Sequence, residues 1–402
     1  MAAQSSPWQG HRPGSPEYRR IIVAMVAAGV ATFAQLYAAQ AVLPAIAHEF
    51  DASAPQVALT VSFATGGLAV FVLVWSGAAD RFGRTRIMSW ALAASTILGL
   101  AAPFSPDLLT LVIVRAAQGL ALGGVPAVAV AYLAEEIHPG HLARVTGMHI
   151  AGNTVGGMSG RLVAGAVADV GGWRWGIAAD SLLGAAAVVV FFIAIPPARG
   201  FTPQRRGTDE PGLGRRLLTS LADPGLIALY CQAFFLMGAF VTVYNYLGFR
   251  LLAEPFGLSQ LVVSFMFVAY LAGAAGSTLA GRAAEWFSRK ALLLLATGGM
   301  ALGAAVLVST SFALVVVGLL VCTTCFFAAH ATASAWVGHR ATTARAQAAA
   351  CYTLAYYVGS SLFGWLGGFL YDGPGWTAVV GYVVGLCAIA ASLAILVLRR
   401  RP

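Results

Sequence analysis

Twelve apolar windows of about 20 residues follow one another along the chain, each long enough to cross a bilayer's hydrocarbon core as a helix. They run roughly 21–45, 57–78, 87–104, 108–134, 143–168 and 174–195, then 225–251, 259–281, 291–309, 312–337, 346–370 and 376–398. The breaks between them are short and carry most of the charge. Only 10% of the 402 residues are charged, against about 25% in soluble proteins, and mean hydropathy is +0.80. Backbone polar groups in lipid must be satisfied within the segment, and the alternating pattern of a β-barrel is absent, so the spans are helices. The expected class is an all-α membrane protein with twelve transmembrane helices in two pseudo-symmetric six-helix bundles.

The division into halves comes from the one long polar connection, 196–224, which carries Arg199, Arg205, Arg206, Arg215 and Arg216. It gives a tail 1–19, a first bundle 20–195, the linker 196–224, a second bundle 225–398 and a tail 399–402. Charge bias then sets orientation. Twenty of the 24 Lys and Arg residues fall on the face with both tails and the linker, and only Arg174 and Arg250 fall on the other. By the positive-inside rule both termini are expected in the cytoplasm, with the chain a multi-pass protein of a bacterial inner membrane. The net charge of +9 does not indicate a nucleic-acid binder, because the arginines are scattered loop by loop. Residues 1–18, polar with Pro and Gly, are expected to be disordered. The run after Arg19-Arg20 is too long for a cleaved signal peptide. Five cysteines, Cys231, Cys322, Cys325, Cys351 and Cys387, all lie in apolar segments and read as packing residues, not as redox or metal sites.

The tightest polar hinge is Gly77-Ala-Ala-Asp-Arg-Phe-Gly-Arg-Thr-Arg86. Its spacing, G-x-x-x-D-R-x-G-R-x-R, resembles the loop 2–3 signature of the major facilitator superfamily of transporters, departing from it only at Thr85. Asp80-Arg-Phe-Gly-Arg-Thr85 also reappears faintly as Glu285-Trp-Phe-Ser-Arg-Lys290, again after the second span of its half. Such repeats mark two-halved transporters with a substrate site at the interface. The resemblance implies a cytoplasmic gate formed by Gly77, Asp80, Arg81, Gly83, Arg84 and Arg86. In it the Asp faces the positive end of a helix from the other half, and Glu135 and Glu136 close span four as the acid of a charge relay.

Span four contains Arg115-Ala-Ala-Gln118-Gly119, similar to the helix-four motif of proton-coupled members; the alternative is a clamp on backbone carbonyls. A charge at membrane depth costs about 2.5–3.5 kcal/mol on insertion scales, so Arg115 needs a partner or a wet cavity. In span five, Gly152, Gly156 and Gly160 share one helical stripe suited to close packing. The run from Gly152 through Asn153 to Arg161 resembles the exporters' antiporter motif, which normally has Pro where this chain has Gly157. Arg161 and Asp180 flank the turn at Gly171-Gly172 at similar depth, which predicts a salt bridge across that hairpin and one polar layer shared with Arg115. Asp180 is the best intramembrane carboxylate for a proton relay, and mid-span His330 is a second proton-site candidate.

Span one has no acid, only Gln35, Tyr37 and Gln40, which disfavours organic cations as substrates. Gln232, Tyr244, Asn245, Tyr246, Trp336, Tyr352 and Tyr356 complete the candidate cavity lining, with Gln118, Asn153 and Arg161 from the first half. Phe326 to Gly338 and Tyr356 to Ser361 resemble the YnfM-type branch of drug–proton antiporter-like proteins, and with the other motifs the resemblance covers about 20–398. It implies alternating-access efflux in exchange for protons; the aromatics and the two intramembrane arginines favour a small neutral or anionic amphipathic compound, and a monomer is expected. An importer or uniporter on the same fold is the competing expectation. A sensor would usually add a soluble domain, and an enzyme would need a nucleophile–base pair or metal cluster; neither stands out. No Walker-type G-x-x-x-x-G-K-[ST] stretch occurs, and no cofactor, metal or nucleic acid is expected.

Overall fold

The structure, a computed structural model, describes residues 8–201, 220–342 and 345–398. Arg205, Arg206, Arg215 and Arg216 of the linker, the tail 399–402 and residues 1–7 lie outside the described residues. The helices are α1 Pro16–Glu49, α2 Ala54–Phe82, α3 Arg84–Phe104 and α4 Leu108–Glu136. Next comes Pro139–Ala194, broken at Gly172, whose arms 139–171 and 173–194 are α5 and α6. The second half contributes α7 Pro224–Leu252, α8 Gln260–Ala283, α9 Arg289–Val306, α10 Phe312–Arg340, α11 Arg345–Asp372 and α12 Trp376–Val397. No strand occurs among the described residues.

The breaks follow local chemistry. At Gly172 the backbone takes φ 79° and ψ 170°, which a Cβ would resist, so the chain reverses there without a loop. Gly83, at φ 95°, does the same between α2 and α3. Within α1, Pro44 has no N–H for the carbonyl of Gln40, and the helix tightens to a 3-10 stretch over Ala38–Val42. Pro126 likewise deprives Leu122, and α4 is interrupted at Gly123. The glycine stripe of α5 lies against α1. A Cβ at Gly156 would sit 2.5 Å from Val30 O, and one at Gly160 would sit 2.6 Å from Ala34 Cα.

Both arginines of the arginine-poor face finish helices. Arg174 donates to Pro103 O and Ser105 O at 2.6 and 2.7 Å, at the end of α3, and pairs with Glu49. Arg250 donates to Val308 O and Ser309 O at 2.8 and 2.7 Å beyond α9. Lone helix carbonyls attract cations, so one device serves both halves.

One expectation is corrected at the N-terminus: residues 8–18 are ordered. Trp8 Nε1 donates to Glu135 O at 2.9 Å. His11 N donates to Glu136 O, and His138 N returns the bond to His11 O. Ser15 then caps α1, accepting from Tyr18 N. Polar composition suggested disorder, but the exposed carbonyls at the end of α4 give this segment a partner.

Candidate functional site

At the arginine-rich face, Arg84 Nη1 donates to Asp80 Oδ1 and its Nε to Glu135 Oε1 at 3.0 Å, so Asp80, Arg84 and Glu135 form one chain of charge. Glu136 takes a different task. It is fully buried, and its Oε1 accepts from Arg199 N and Gly200 N at 2.7 Å each, fixing the start of the linker. Gly77 is free of close neighbours, and Arg81 lies over the ring of Phe82 at 5.2 Å.

Deeper in the first half, Arg115 is a clamp. It donates to Gln35 O at 2.8 Å, Leu36 O at 2.5 Å and Thr60 O at 3.3 Å, and also to Gln118 Oε1. Gln118 in turn donates to Gln35 Oε1 and Ser95 O. The carbonyls it takes lie where α1 passes from α to 3-10 geometry and the hydrogen-bonding step shortens. Gln35, Arg115 and Gln118 are thereby consumed inside the bundle.

Between the halves lies a cavity of about 750 Å³. From the first half it takes Phe33 and Tyr37 of α1 with Asn153, Gly157 and Arg161 of α5. The second half adds Phe240 of α7, Tyr270 and Thr278 of α8, His330 and Ser334 of α10, and Tyr352 and Tyr356 of α11. Its lining has one guanidinium and no carboxylate among the described residues. His330 Nδ1 meets Tyr352 OH at 3.0 Å. These positions run from mid-helix toward the arginine-rich face, so the void opens in that half of the molecule.

The opposite half is bolted. Five hydrogen bonds join the two bundles among the described residues, all nearer the arginine-poor face. Gln40 Nε2 donates to Asn245 Oδ1 at 2.7 Å, Gln260 Nε2 to Ala41 O at 2.6 Å, and Ala54 N to Asp372 Oδ2 at 2.9 Å. Leu261 N donates to Asp169 Oδ1 at 3.1 Å and Ser361 Oγ to Ser62 O at 2.7 Å.

Several candidates therefore lie away from the cavity. Gln40 and Asn245 belong to the bolt, Gln232 donates to Ala390 O, Tyr244 OH meets Thr323 Oγ1, and Tyr246 OH donates to Gly364 O. Trp336 packs against the core. The expected Arg161–Asp180 salt bridge is a second correction, since no such pair forms. Arg161 turns instead to Gln40 Oε1 and Gly157 O. Asp180 is buried beside Gly160 and Ala34, and its Oδ1 has no hydrogen-bond partner among the described residues. Equal depth on a hairpin fixed the layer but not the side chains' azimuth. Arg115, Arg161 and Asp180 all lie beside the same stretch of α1, with no hydrogen bond or salt bridge among the three.

Sequence reasoning missed Phe240, Tyr270 and Phe327, which also line the cavity, because aromatics in apolar spans read as core. A usable signal existed in α8: Tyr270, Ala274, Ser277 and Thr278 fall at i, i+4, i+7 and i+8, one small polar stripe on an otherwise apolar helix.

Twelve helices among the described residues, with a cavity open toward one face and closed at the other, have the architecture of a multi-pass membrane transporter. The chain matches the family model of the Major Facilitator Superfamily over residues 25–341 and 233–402. It is 37% identical to the inner membrane transport protein YnfM of Escherichia coli (strain K12), over 96% of this chain and 92% of that protein. It is 35% identical to the uncharacterized MFS-type transporter YybF of Bacillus subtilis (strain 168), over 94% and 93%. The chain belongs to the Major Facilitator Superfamily. Among solved structures it is similar to a bacterial homologue of the human lysosomal transporter Spinster, inward-facing and occupied, with a TM-score of 0.78 over 96% of this chain and 98% of that one, at 16% identity. A point mutant of the nucleoside transporter NupG gives 0.73 over 96% and 100%, at 14% identity. At such identities the likeness concerns the fold.

Proposed function

We propose that the chain is a secondary active transporter that exports a small neutral or anionic amphipathic compound in exchange for protons. In this reading the arginine-rich face is cytoplasmic, as the positive-inside bias favours, and the cavity is open to the cytoplasm. The observation that carries the substrate class is the lining itself, aromatic on most sides with one guanidinium and no carboxylate. An organic cation would meet Arg161 and no counter-charge. Alternating access then requires the five bonds near the arginine-poor face to break while the halves close around the Asp80–Arg84–Glu135 cluster.

Proton coupling rests on Asp180, a buried carboxylate with an unpartnered oxygen between two arginines already committed elsewhere. Gaining a proton removes the cost of an isolated buried charge, which suits a group that must load and unload. His330, at the cavity wall, is the second carrier in this reading.

The test uses proteoliposomes with an internal pH dye and an inward proton gradient, challenged with neutral, anionic and cationic amphipaths. Compound-dependent loss of the gradient, prevented by Asp180→Asn or by His330→Gln, is the expected result. A compound that equilibrates without moving protons makes the protein a uniporter or couples it to another ion, and ends the antiport reading.

A further inference from the structure

Arg161 belongs to the cavity and to the bolt at once. On the cavity side its guanidinium carbon lies 4.5 Å from the ring centre of Tyr37 and 4.8 Å from that of Tyr270. Toward the closed end its Nε donates to Gln40 Oε1 at 2.7 Å, and Gln40 Nε2 carries the contact across the interface to Asn245 Oδ1 at 2.7 Å. Nη1 donates to Gly157 O, and Nη2 has no acceptor among the described residues. Beside it the hydroxyl of Tyr37, a residue only 4% exposed, is buried, with Ser360 of α11 as its side-chain neighbour and no hydrogen bond of normal length among those residues. An unused guanidinium nitrogen and a weakly engaged hydroxyl therefore sit together at the cavity's inner end. Buried donors without acceptors are costly, so such a pair marks a place for a ligand.

The charges agree. Arg115, Arg161 and Asp180 are all about 1% exposed at membrane depth, and together they leave one uncompensated positive charge. Arg115 spends its donors on four oxygens of its own half, so Arg161 is the cation with capacity left.

We infer that Arg161 and Tyr37 form a carboxylate subsite for an aromatic monocarboxylate, and that its occupation releases the Gln40–Asn245 bolt. This rests on the reading of the cavity as the substrate site. A carboxylate engaging the Nε–Nη2 edge takes the idle Nη2 donors together with the Nε–H now given to Gln40. Gln40 then loses the partner that orients its amide toward Asn245, and a bond between the halves weakens when the cavity is filled. The acid's ring faces Phe240, Phe327 and Tyr356. One bound monoanion cancels the uncompensated charge, whereas a cation of the same shape doubles it.

The experiment measures binding of 2-naphthoate, 2-naphthamide and 2-naphthamidine to the purified full-length chain by calorimetry; the three share one ring system and differ in charge. The wild type is expected to bind naphthoate tighter than naphthamide by about tenfold or more, as a charge-assisted bidentate pair replaces a neutral one, and naphthamidine weakest. Arg161→Gln erases that preference while naphthamide still binds, which also reports that the variant is folded. Arg161→Lys retains part of it, because the charge remains and the fork is lost. Gln40→Leu removes the competitor for Nε and tightens naphthoate several-fold without altering naphthamide. Equal affinity for the three probes, or a preference that survives Arg161→Gln, overturns the subsite, and unchanged naphthoate affinity in Gln40→Leu overturns the release of the bolt. Failure of the export reading looks different: naphthoate then binds through Arg161 but dissipates no proton gradient.

Discussion

Arg115→Lys separates a structural clamp from a proton carrier. In the wild type the guanidinium reaches Gln35 O, Leu36 O, Thr60 O and Gln118 Oε1 from its different edges, joining α1, α2 and α4. A lysine ammonium is one point with three donors and cannot face α1 and α2 together, so two of the four bonds are lost. Hydrogen bonds to a charged group contribute about 1.5–3 kcal/mol each, giving a loss of about 3–6 kcal/mol. Set against a total stability of about 5–15 kcal/mol for a folded domain, that is a large fraction. The assay is thermal melting with size-exclusion profile in detergent. The expected result is a melting temperature several degrees lower and a falling monodisperse yield, with proton coupling altered only in proportion to the folded protein recovered. A variant that melts with the wild type yet no longer couples to protons would refute the clamp, because the side chain's charge chemistry, not its geometry, would then be what the protein needs.

Two further substitutions and one titration probe the architecture. Gly156→Leu should destabilise by about 1–3 kcal/mol, because its Cβ would lie 2.5 Å from Val30 O and 2.6 Å from Val30 Cα, forcing α1 from α5. Gly147→Ala, with no atom within 4 Å of its Cβ, should be neutral or stabilising by up to about 1 kcal/mol; equal melting of the two variants would deny the close approach. His138, between α4 and α5, has its pKa held below the ordinary histidine value by desolvation, with Arg12 and His141 adding to the effect. A depressed pKa means that folding favours the neutral ring, so the stability it contributes is present above the unfolded pKa of about 6.5 and is lost as pH falls from there through the folded value. The 8–15 segment, held to His138 by Arg12 at 2.9 Å and by a backbone bond, should loosen over that range. Fluorescence of a protein retaining only Trp8 would read it, and a flat signal from pH 7 to 5 would contradict the argument.

The number, length and order of the helices were legible in the sequence because lipid leaves a chain so little choice: each span must satisfy its own backbone and cover about 30 Å with apolar side chains. Two turn glycines were legible for the same kind of local reason, as Gly83 and Gly172 do occupy positive φ, whereas Gly77, read as part of the same hinge, lies inside α2. So was the glycine stripe on α5, since a helical period places residues on faces without reference to any neighbour. What the sequence did not determine was which polar side chain answers which. Arg161 and Asp180 stand at matching depth on a hairpin, yet Arg161 reaches past it to Gln40 on α1. Glu135 and Glu136 are neighbours in sequence and take unrelated tasks, because successive helical residues point about 100° apart. Gln40 and Asn245 looked like cavity lining and are the bolt of the closed end; Phe240 and Tyr270 looked like core and are the cavity wall. Depth along a helix is a local property that residue count supplies. Azimuth against a partner, and therefore which face of the interface is filled and which is left open, depends on how two bundles distant in sequence come together, and only the tertiary structure decides it.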